Sequence, residues 1–302
     1  MRGTPVVIAH RGASGYLPEH TLPAKALAHG QGADFLEQDV VATRDGELVV
    51  FHDLYLDSMT DVAGRYPGRA RPDGRHYVVD FSLAELRTLA VTERRRKDGG
   101  GVRYPGRFPA GTGPFSLHTL AEELAFIRGL NRSTGREAGV YAEVKSPAWH
   151  VEHGVPVGDR LVATLKDFGY RTREDRFYIQ CFDGAELRRL RRPHAPDLPL
   201  VQLLEADADL SPAALARIAA YADAIGPPIT RAWPDRGLVR DAHAAGLLVH
   251  PYTFRADELP PGFTSFPELL SRFVNDLEVD GLFTDFPDTA LRYTRQRKAP
   301  AS

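Results

Sequence analysis

The chain predicts an α/β fold, and within that class a closed barrel of eight strand–helix units. Three observations carry this expectation. Short apolar runs alternate with helix-like segments along most of the 302 residues, as in a parallel sheet. Eight such runs can be counted, enough to close a TIM (β/α)8 barrel; length alone suggests about two domains, though a single barrel of this kind also commonly runs about 250 residues. Chemistry-bearing residues collect at the carboxyl ends of the runs, which is where barrels of this kind place their sites.

The first run, Val6–Ala9, ends at His10-Arg11-Gly12. Thr21 is an N-cap candidate for a helix over 22–31 with Pro23 in its first turn, and Gly30 and Gly32 end it. The second run, 33–41, holds Glu37 and Asp39; period-two geometry puts both on one face. Arg44-Asp45-Gly46 turns the chain, and 47–51 returns as a hairpin arm ending at His52.

Residues 54–117 break the alternation and read as an insertion between the second and third strand–helix units. They are rich in Gly, Pro and Arg and carry Arg-Tyr-Pro-Gly-Arg twice, at 65–69 and 103–107. One helix is expected over 82–90, where Ser82 and Glu85 fit a capping box. The charged run Glu93 to Lys97 reads as solvated surface. The alternation then resumes, with helices expected over 119–130, 158–168, 183–191, 212–221, 235–245 and 267–277 and a last one from Pro287. The strands between them are 140–144, 177–181, 198–204, 223–225, 247–252 and 281–284. Residues 295–302 read as a frayed tail. The whole of 1–302 is expected to be one domain.

Composition narrows the function. With 38 basic against 40 acidic residues the chain has no field to recruit nucleic acid. No apolar run approaches the roughly 18 residues of a membrane span, so no stable membrane insertion is expected; homo-oligomerisation stays open. The single cysteine, Cys181, permits no internal disulfide and reads as a small buried strand residue. The amino terminus carries no apolar signal run. As it stands the chain reads as cytoplasmic, or as periplasmic or secreted if an export signal has been removed.

Read in order, the strand ends give His10 and Arg11, then Glu37 and Asp39, then Glu143 and Lys145, Gln180, His250 with Thr253, and Asp285. Three carboxylates (Glu37, Asp39 and Glu143) without a cysteine make a hard oxygen site, suited to Ca²⁺ or Mg²⁺ rather than zinc. Arg11 and Lys145 beside such a cation suit an anionic phosphate. His10 and His52 can then supply a general acid and a general base.

These residues closely resemble the glycerophosphodiester phosphodiesterase family, and within it the bacterial periplasmic-type members. The resemblance is carried by His10-Arg11-Gly12, Pro18-Glu19-His20-Thr21, Glu37-Gln38-Asp39, Val50-Phe51-His52-Asp53, Glu143-Val144-Lys145, Gln180-Cys181-Phe182-Asp183, His250-Pro251-Tyr252-Thr253 and Gly281 to Pro287. It implies cleavage of glycerophosphocholine, glycerophosphoethanolamine, glycerophosphoglycerol and similar diesters to glycerol 3-phosphate and an alcohol, through a cyclic phosphate. It implies Glu37, Asp39 and Glu143 as ligands of one divalent cation, Ca²⁺ ahead of Mg²⁺ by subgroup, and His10 and His52 as the acid/base pair. Arg11, Glu19, Lys145 and Gln180 would contact substrate. His20 stands where the family often has Asn, as it does in the periplasmic-type members, which are typically exported. Two other readings compete. A phospholipase D-like enzyme acting on lysophospholipids would need an apolar rim, and 54–117 shows no Trp or Leu cluster of that kind. A catalytically silent phosphate- or partner-binding protein would be marked by a lost histidine or carboxylate, and all are present.

Overall fold

The computed structural model describes residues 4–96, 99–191, 197–233 and 237–296. Eight parallel strands form the barrel: β1 (Val6–Ala9), β2 (Phe35–Ala42), β4 (Gly139–Val144), β5 (Phe177–Cys181), β6 (Leu200–Leu203), β7 (Ala224–Gly226), β8 (Leu248–Val249) and β9 (Gly281–Thr284). A ninth, β3 (Leu48–Val50), is the hairpin arm on β2. The ladder runs β8-β7-β6-β5-β4-β2-β1-β9. Its edges are stitched by Asp280 N–H to Val249 O (3.0 Å) and Phe283 N–H to Pro251 O (3.1 Å), so the barrel is nearly closed. Every expected strand is present, but the one expected over 247–252 is only the two residues Leu248–Val249. The sixth opens at Leu200 rather than 198, after Pro199, which has no N–H for the ladder.

Period two sorts the strand residues into layers. Ile8, Phe35, Tyr141, Val201, Ala224 and Phe283 fill the barrel interior, with the Tyr141 ring 4.8 Å from Tyr178 and 4.9 Å from Phe283. The alternate residues, such as Leu36, Val40, Val140 and Ile179, face the helices in one large cluster. Burying a Leu, Ile or Val side chain is worth about 1.5–3 kcal/mol, so this two-sided burial holds the strand ends, and the residues on them, in fixed positions.

Local signals placed the helices well. Thr21 caps Leu22–Gln31 by accepting from Ala24 N–H, and Gly32, at φ 102°, closes it. Thr119 and Glu122 form a capping box on Leu120–Thr134. The helices at Val157–Asp167, Gly184–Arg191, Pro212–Ala219, Leu238–Ala244 and Pro287–Gln296 follow the expected order, and a short one at Pro147–Glu152 was not foreseen. Residues 295 and 296 extend the last helix instead of fraying; 297–302 lie outside the described residues. No described helix is long and apolar enough to cross a membrane.

Residues 54–117 fold over one part of the rim. The expected capping box of Ser82 and Glu85 forms, but its helix is a single turn, Leu83–Leu86, and a second turn lies at Val62–Arg65. Leu56, Met59, Val62, Val78, Phe81 and Leu86 pack onto Val41, Val49 and Phe51 of the hairpin in a separate apolar cluster. The charged run corrects the sequence expectation. Arg95 and Arg96 are exposed, but Glu93 is buried and Arg94 points inward to buried carboxylates; Lys97 lies outside the described residues.

Candidate active site

The carboxyl ends of the strands surround a cleft of about 460 Å³. His10, Arg11, Glu37, His52, Glu143, Lys145 and Gln180 line it together with the apolar Phe182, Leu203, Ile229, Tyr252 and Leu259. Sequence reasoning thus gathered residues from five parts of the chain that the fold brings to one rim. Glu19 and Asp39 sit just behind this lining.

The first loop is held in a conformation that its residues do not favour. Arg11 and His20 both have φ 60°, left-handed backbone for a side-chain-bearing residue. Such positions cost on the order of 1–3 kcal/mol and persist only where surrounding contacts fix them. Here Arg11 N–H donates to Glu37 Oε2 (2.6 Å) and His20 N–H donates to Arg11 O (2.9 Å). Gly12 has φ 88°, and a Cβ there would meet the Ala24 backbone at 2.8 Å, so the loop lies directly on its helix.

Each histidine of the expected acid/base pair has an aspartate behind it. His10 Nδ1 lies 2.7 Å from Asp285 Oδ1, and His52 Nδ1 lies 2.7 Å from Asp53 Oδ1. An ionised carboxylate only accepts, so Nδ1 carries the hydrogen and Nε2 is left for the cleft. The aspartates stay ionised. Burial opposes the charge on Asp285, but Arg255, His10 and Arg107 hold its carboxyl well below the usual range. Burial also opposes Asp53, and His52 and Arg94 hold it low. Burial, with Arg11 adding to it, pulls His10 down to about 4; burial followed by Arg11 and Lys145 pulls His52 to about 3. Both rings are thereby disposed to be neutral near pH 7.

The carboxylates converge. Asp39 Oδ2 is 2.7 Å from His20 Nε2 and 3.3 Å from Arg11 Nε, and Asp39 Oδ1 is 3.7 Å from Lys145 Nζ. Lys145 Nζ lies 2.8 Å from Glu143 Oε1, and Gln180 Nε2–H donates to Glu37 Oε1 at 3.2 Å. Lys145 and the other cations hold Asp39 low against its burial, whereas burial and the neighbouring Asp39 push Glu37 well up. Glu143 is pushed up by burial despite Lys145. Two buried carboxylates that resist ionisation beside a third are what a divalent cation would relieve. His20, Glu37 and Asp39 each offer a ligand atom, all within 4.8 Å of one another. The donor set therefore fits a metal ion. His20, which the sequence marked only as a motif variant, adds an imidazole to the oxygen site.

Four groups escaped the sequence reading in role. Asp53 and Asp285 were visible inside motifs, and the structure places each behind a histidine. Arg94 and Arg107 carried no signal: one sits in a charged run, the other at the end of a five-residue repeat. Glu19 is held by Arg11 Nη1 (2.8 Å) and by Arg94 Nε and Nη2 (3.0 and 2.6 Å), behind Arg11 rather than in the cleft lining. His250 is turned inward, with Nδ1 2.9 Å from the Tyr141 hydroxyl.

Comparison with known proteins agrees with this geometry. Residues 10–289 match the glycerophosphoryl diester phosphodiesterase family. A glycerophosphodiester phosphodiesterase of Haemophilus influenzae is 40% identical, covering 98% of this chain and 91% of that protein. One from Treponema pallidum is 37% identical over 95% and 91%. Among solved structures, a putative glycerophosphoryl diester phosphodiesterase from Silicibacter pomeroyi superposes with a TM-score of 0.76 at 28% identity, covering 98% and 95%. An Oleispira antarctica phosphodiesterase, solved with the product sn-glycerol-3-phosphate, shares the fold with a TM-score of 0.70 at 23% identity over 97% of each chain. With its motifs gathered at one barrel rim and the family match spanning nearly its full length, this chain belongs to the glycerophosphoryl diester phosphodiesterase family.

Proposed function

We propose that the chain hydrolyses glycerophosphodiesters such as glycerophosphocholine, glycerophosphoethanolamine and glycerophosphoglycerol to glycerol 3-phosphate and an alcohol. One divalent cation, Ca²⁺ or Mg²⁺, would be held by Glu37, Asp39 and Glu143 with His20 beside them. The observation that carries this reading is the pair of aspartate-backed histidines, His10 and His52, facing one cleft with Arg11, Lys145 and Glu37.

Arg11 and Lys145 bind the phosphodiester oxygens, the guanidinium by its planar fork and the ammonium as a point charge. When bound, the cation supplies further positive charge to the phosphoryl oxygens, where transition-state charge builds. One histidine takes the proton of the glycerol 2-hydroxyl through Nε2 as that oxygen attacks phosphorus. The other gives a proton to the leaving alcohol oxygen. Water then opens the cyclic phosphate with the two roles reversed, returning each ring to its starting state. The lowered basicity of both rings is that of the free enzyme; a bound phosphodiester anion raises it toward the working pH. Gln180 orients Glu37, and Glu19 braces Arg11. Residues 54–117 belong to the same single domain as the barrel and act as the family-type insertion on its rim.

The test is release of glycerol 3-phosphate from glycerophosphocholine by purified protein, with chelator and then with Ca²⁺ or Mg²⁺ restored. Activity that disappears with chelator and returns with one cation is the expected result. Absence of turnover with several head groups would overturn the reading, and metal-independent turnover would remove the cation from it.

A further inference from the structure

Among the described residues, the insertion sends two arginines to the aspartates of the site, and they do the same thing twice. Arg94 Nη1–H donates to Asp53 Oδ2 at 2.7 Å, while the other oxygen of Asp53 is on His52. Arg107 Nη2–H donates to Asp285 Oδ2 at 2.7 Å, while the other oxygen of Asp285 is on His10. Each guanidinium is itself pinned by a second carboxylate that takes two of its N–H groups. Arg94 is forked onto Glu19, and Arg107 onto Asp257 at 2.8 and 3.0 Å. The Arg107 side chain is 3% exposed and the Arg94 side chain 12%.

The sequence gives these arginines no common setting. Arg94 lies in a run with exposed Arg95 and Arg96. Arg107 ends the second Arg-Tyr-Pro-Gly-Arg. The matching residue of the first copy, Arg69, stays within the insertion, bonded to Glu85 and to Asp80 O over the Phe81 ring. Two arginines from unlike local contexts therefore converge on equivalent atoms of equivalent pairs.

We propose that Arg94 and Arg107 are positioning residues by which the insertion aims the acid/base pair, Arg94 setting His52 through Asp53 and Arg107 setting His10 through Asp285. This rests on the acid/base reading above. A carboxylate with one oxygen fixed by a forked guanidinium can meet an imidazole Nδ1–H with its other oxygen in only one ring orientation, which fixes where Nε2 points. The two relays differ in reserve. Asp285 Oδ2 also accepts from Arg255 Nε at 2.8 Å, whereas the further donor to Asp53 Oδ2 is the neutral Ser58 hydroxyl at 2.6 Å. Loss of Arg94 is therefore the more damaging.

The experiment compares Arg94→Met and Arg107→Met with wild type on two glycerol phosphodiesters, one with an alkyl alcohol and one with p-nitrophenol as leaving group. Methionine keeps an apolar stem while removing the fork. Arg87→Met, which breaks an exposed ion pair with Glu122, is the surface control and leaves both activities unchanged. On the alkyl substrate kcat should fall on the order of 10- to 100-fold, as for other groups that orient a working imidazole, more for Arg94 than for Arg107, with KM little changed. A good leaving group needs no general acid. One of the two variants should therefore recover most of its loss on the nitrophenyl substrate and the other should not, which also assigns the histidine that is acid in the first step. Wild-type kcat on the alkyl substrate in folded variants, or equal losses on both substrates in both variants, would overturn the proposal. If a methionine variant fails to fold, Arg94→Lys and Arg107→Lys keep the charge without the fork, and the same criteria decide. His10→Ala and His52→Ala serve as a separate check: if they retain turnover, the acid/base reading itself fails; if they are inactive while the arginine variants are normal, only the relay is wrong.

Discussion

The strand ends of the barrel and the insertion over them both send charged side chains to one cleft, by different physical rules. On the barrel, position along a strand decides. Glu37 and Asp39 share a face of β2, and Asp39 is in register with Glu143 on β4, so the carboxylates meet because the ladder aligns them. Among the described residues of the insertion no ladder operates. Its isolated bridges and single helical turns leave each side chain to find its own partner. What directs Arg94 and Arg107 inward is buried charge: Glu19, Asp53 and Asp285 are carboxylates in a low-dielectric rim that would be costly unpaired. The lesson is a division of labour, with chemistry on the rigid element and control of side-chain aim on the irregular one.

The most forceful way to break this division is to remove the histidines. His10→Ala and His52→Ala should each lower kcat about 10²- to 10⁴-fold while circular dichroism and thermal unfolding stay as in wild type. Either variant keeping more than about a tenth of kcat would remove that ring from the acid/base pair, given those magnitudes.

His250 tests the opposite case, a strand-end histidine that serves the fold. Burial pulls its pKa from 6.5 to about 4, so between those values the unfolded chain binds a proton that the folded chain refuses. The neutral buried ring is fully compatible with folding above about pH 6.5, and stability is lost as pH falls toward 4. The contribution is up to about 3 kcal/mol at the low end. Denaturant unfolding of His250→Gln at pH 7 and pH 4 should show a correspondingly shallower acid loss. An unchanged difference between the two pH values would mean that His250 is not what makes the fold acid-sensitive.

A finer distinction concerns the cation. Glu143→Gln should weaken Ca²⁺ or Mg²⁺ binding by about tenfold to a hundredfold, at least the effect usual for groups outside the ligand shell, as read by calorimetric titration. The same titration on Arg94→Met should match wild type. An unaltered Glu143→Gln titration would exclude that residue as a ligand, and a weakened Arg94→Met titration would merge the two regions that the comparison separates.

Legibility in the sequence followed the same line. The strands, most of the helices, the caps at Thr21 and Ser82 and the rim residues His10, Arg11, Glu37, Asp39, Glu143, Lys145 and Gln180 could be placed from spacing alone, because period two and the capping rules act over a few residues. The one-turn helix at Leu83–Leu86 was overestimated, because the capping box marks a start and nothing in those residues specifies a length. His20 looked like a motif variant, since its 2.7 Å contact with Asp39 joins a loop to a strand 19 residues later. Arg94 was expected to face solvent with its neighbours, because a run of like charges has no periodicity that would set one member apart.

By itself, then, the sequence determined the alternation, the barrel and which residue types stand at each strand end, since these follow from local burial patterns repeated eight times. Tertiary structure alone decided that Asp53 and Asp285 each back a histidine, that two of many insertion arginines hold those aspartates, and that His20 joins the carboxylates. Those choices depend on where unpaired buried charges lie once the barrel has formed, and a guanidinium on an irregular segment pairs with whichever carboxylate the finished fold has left without water.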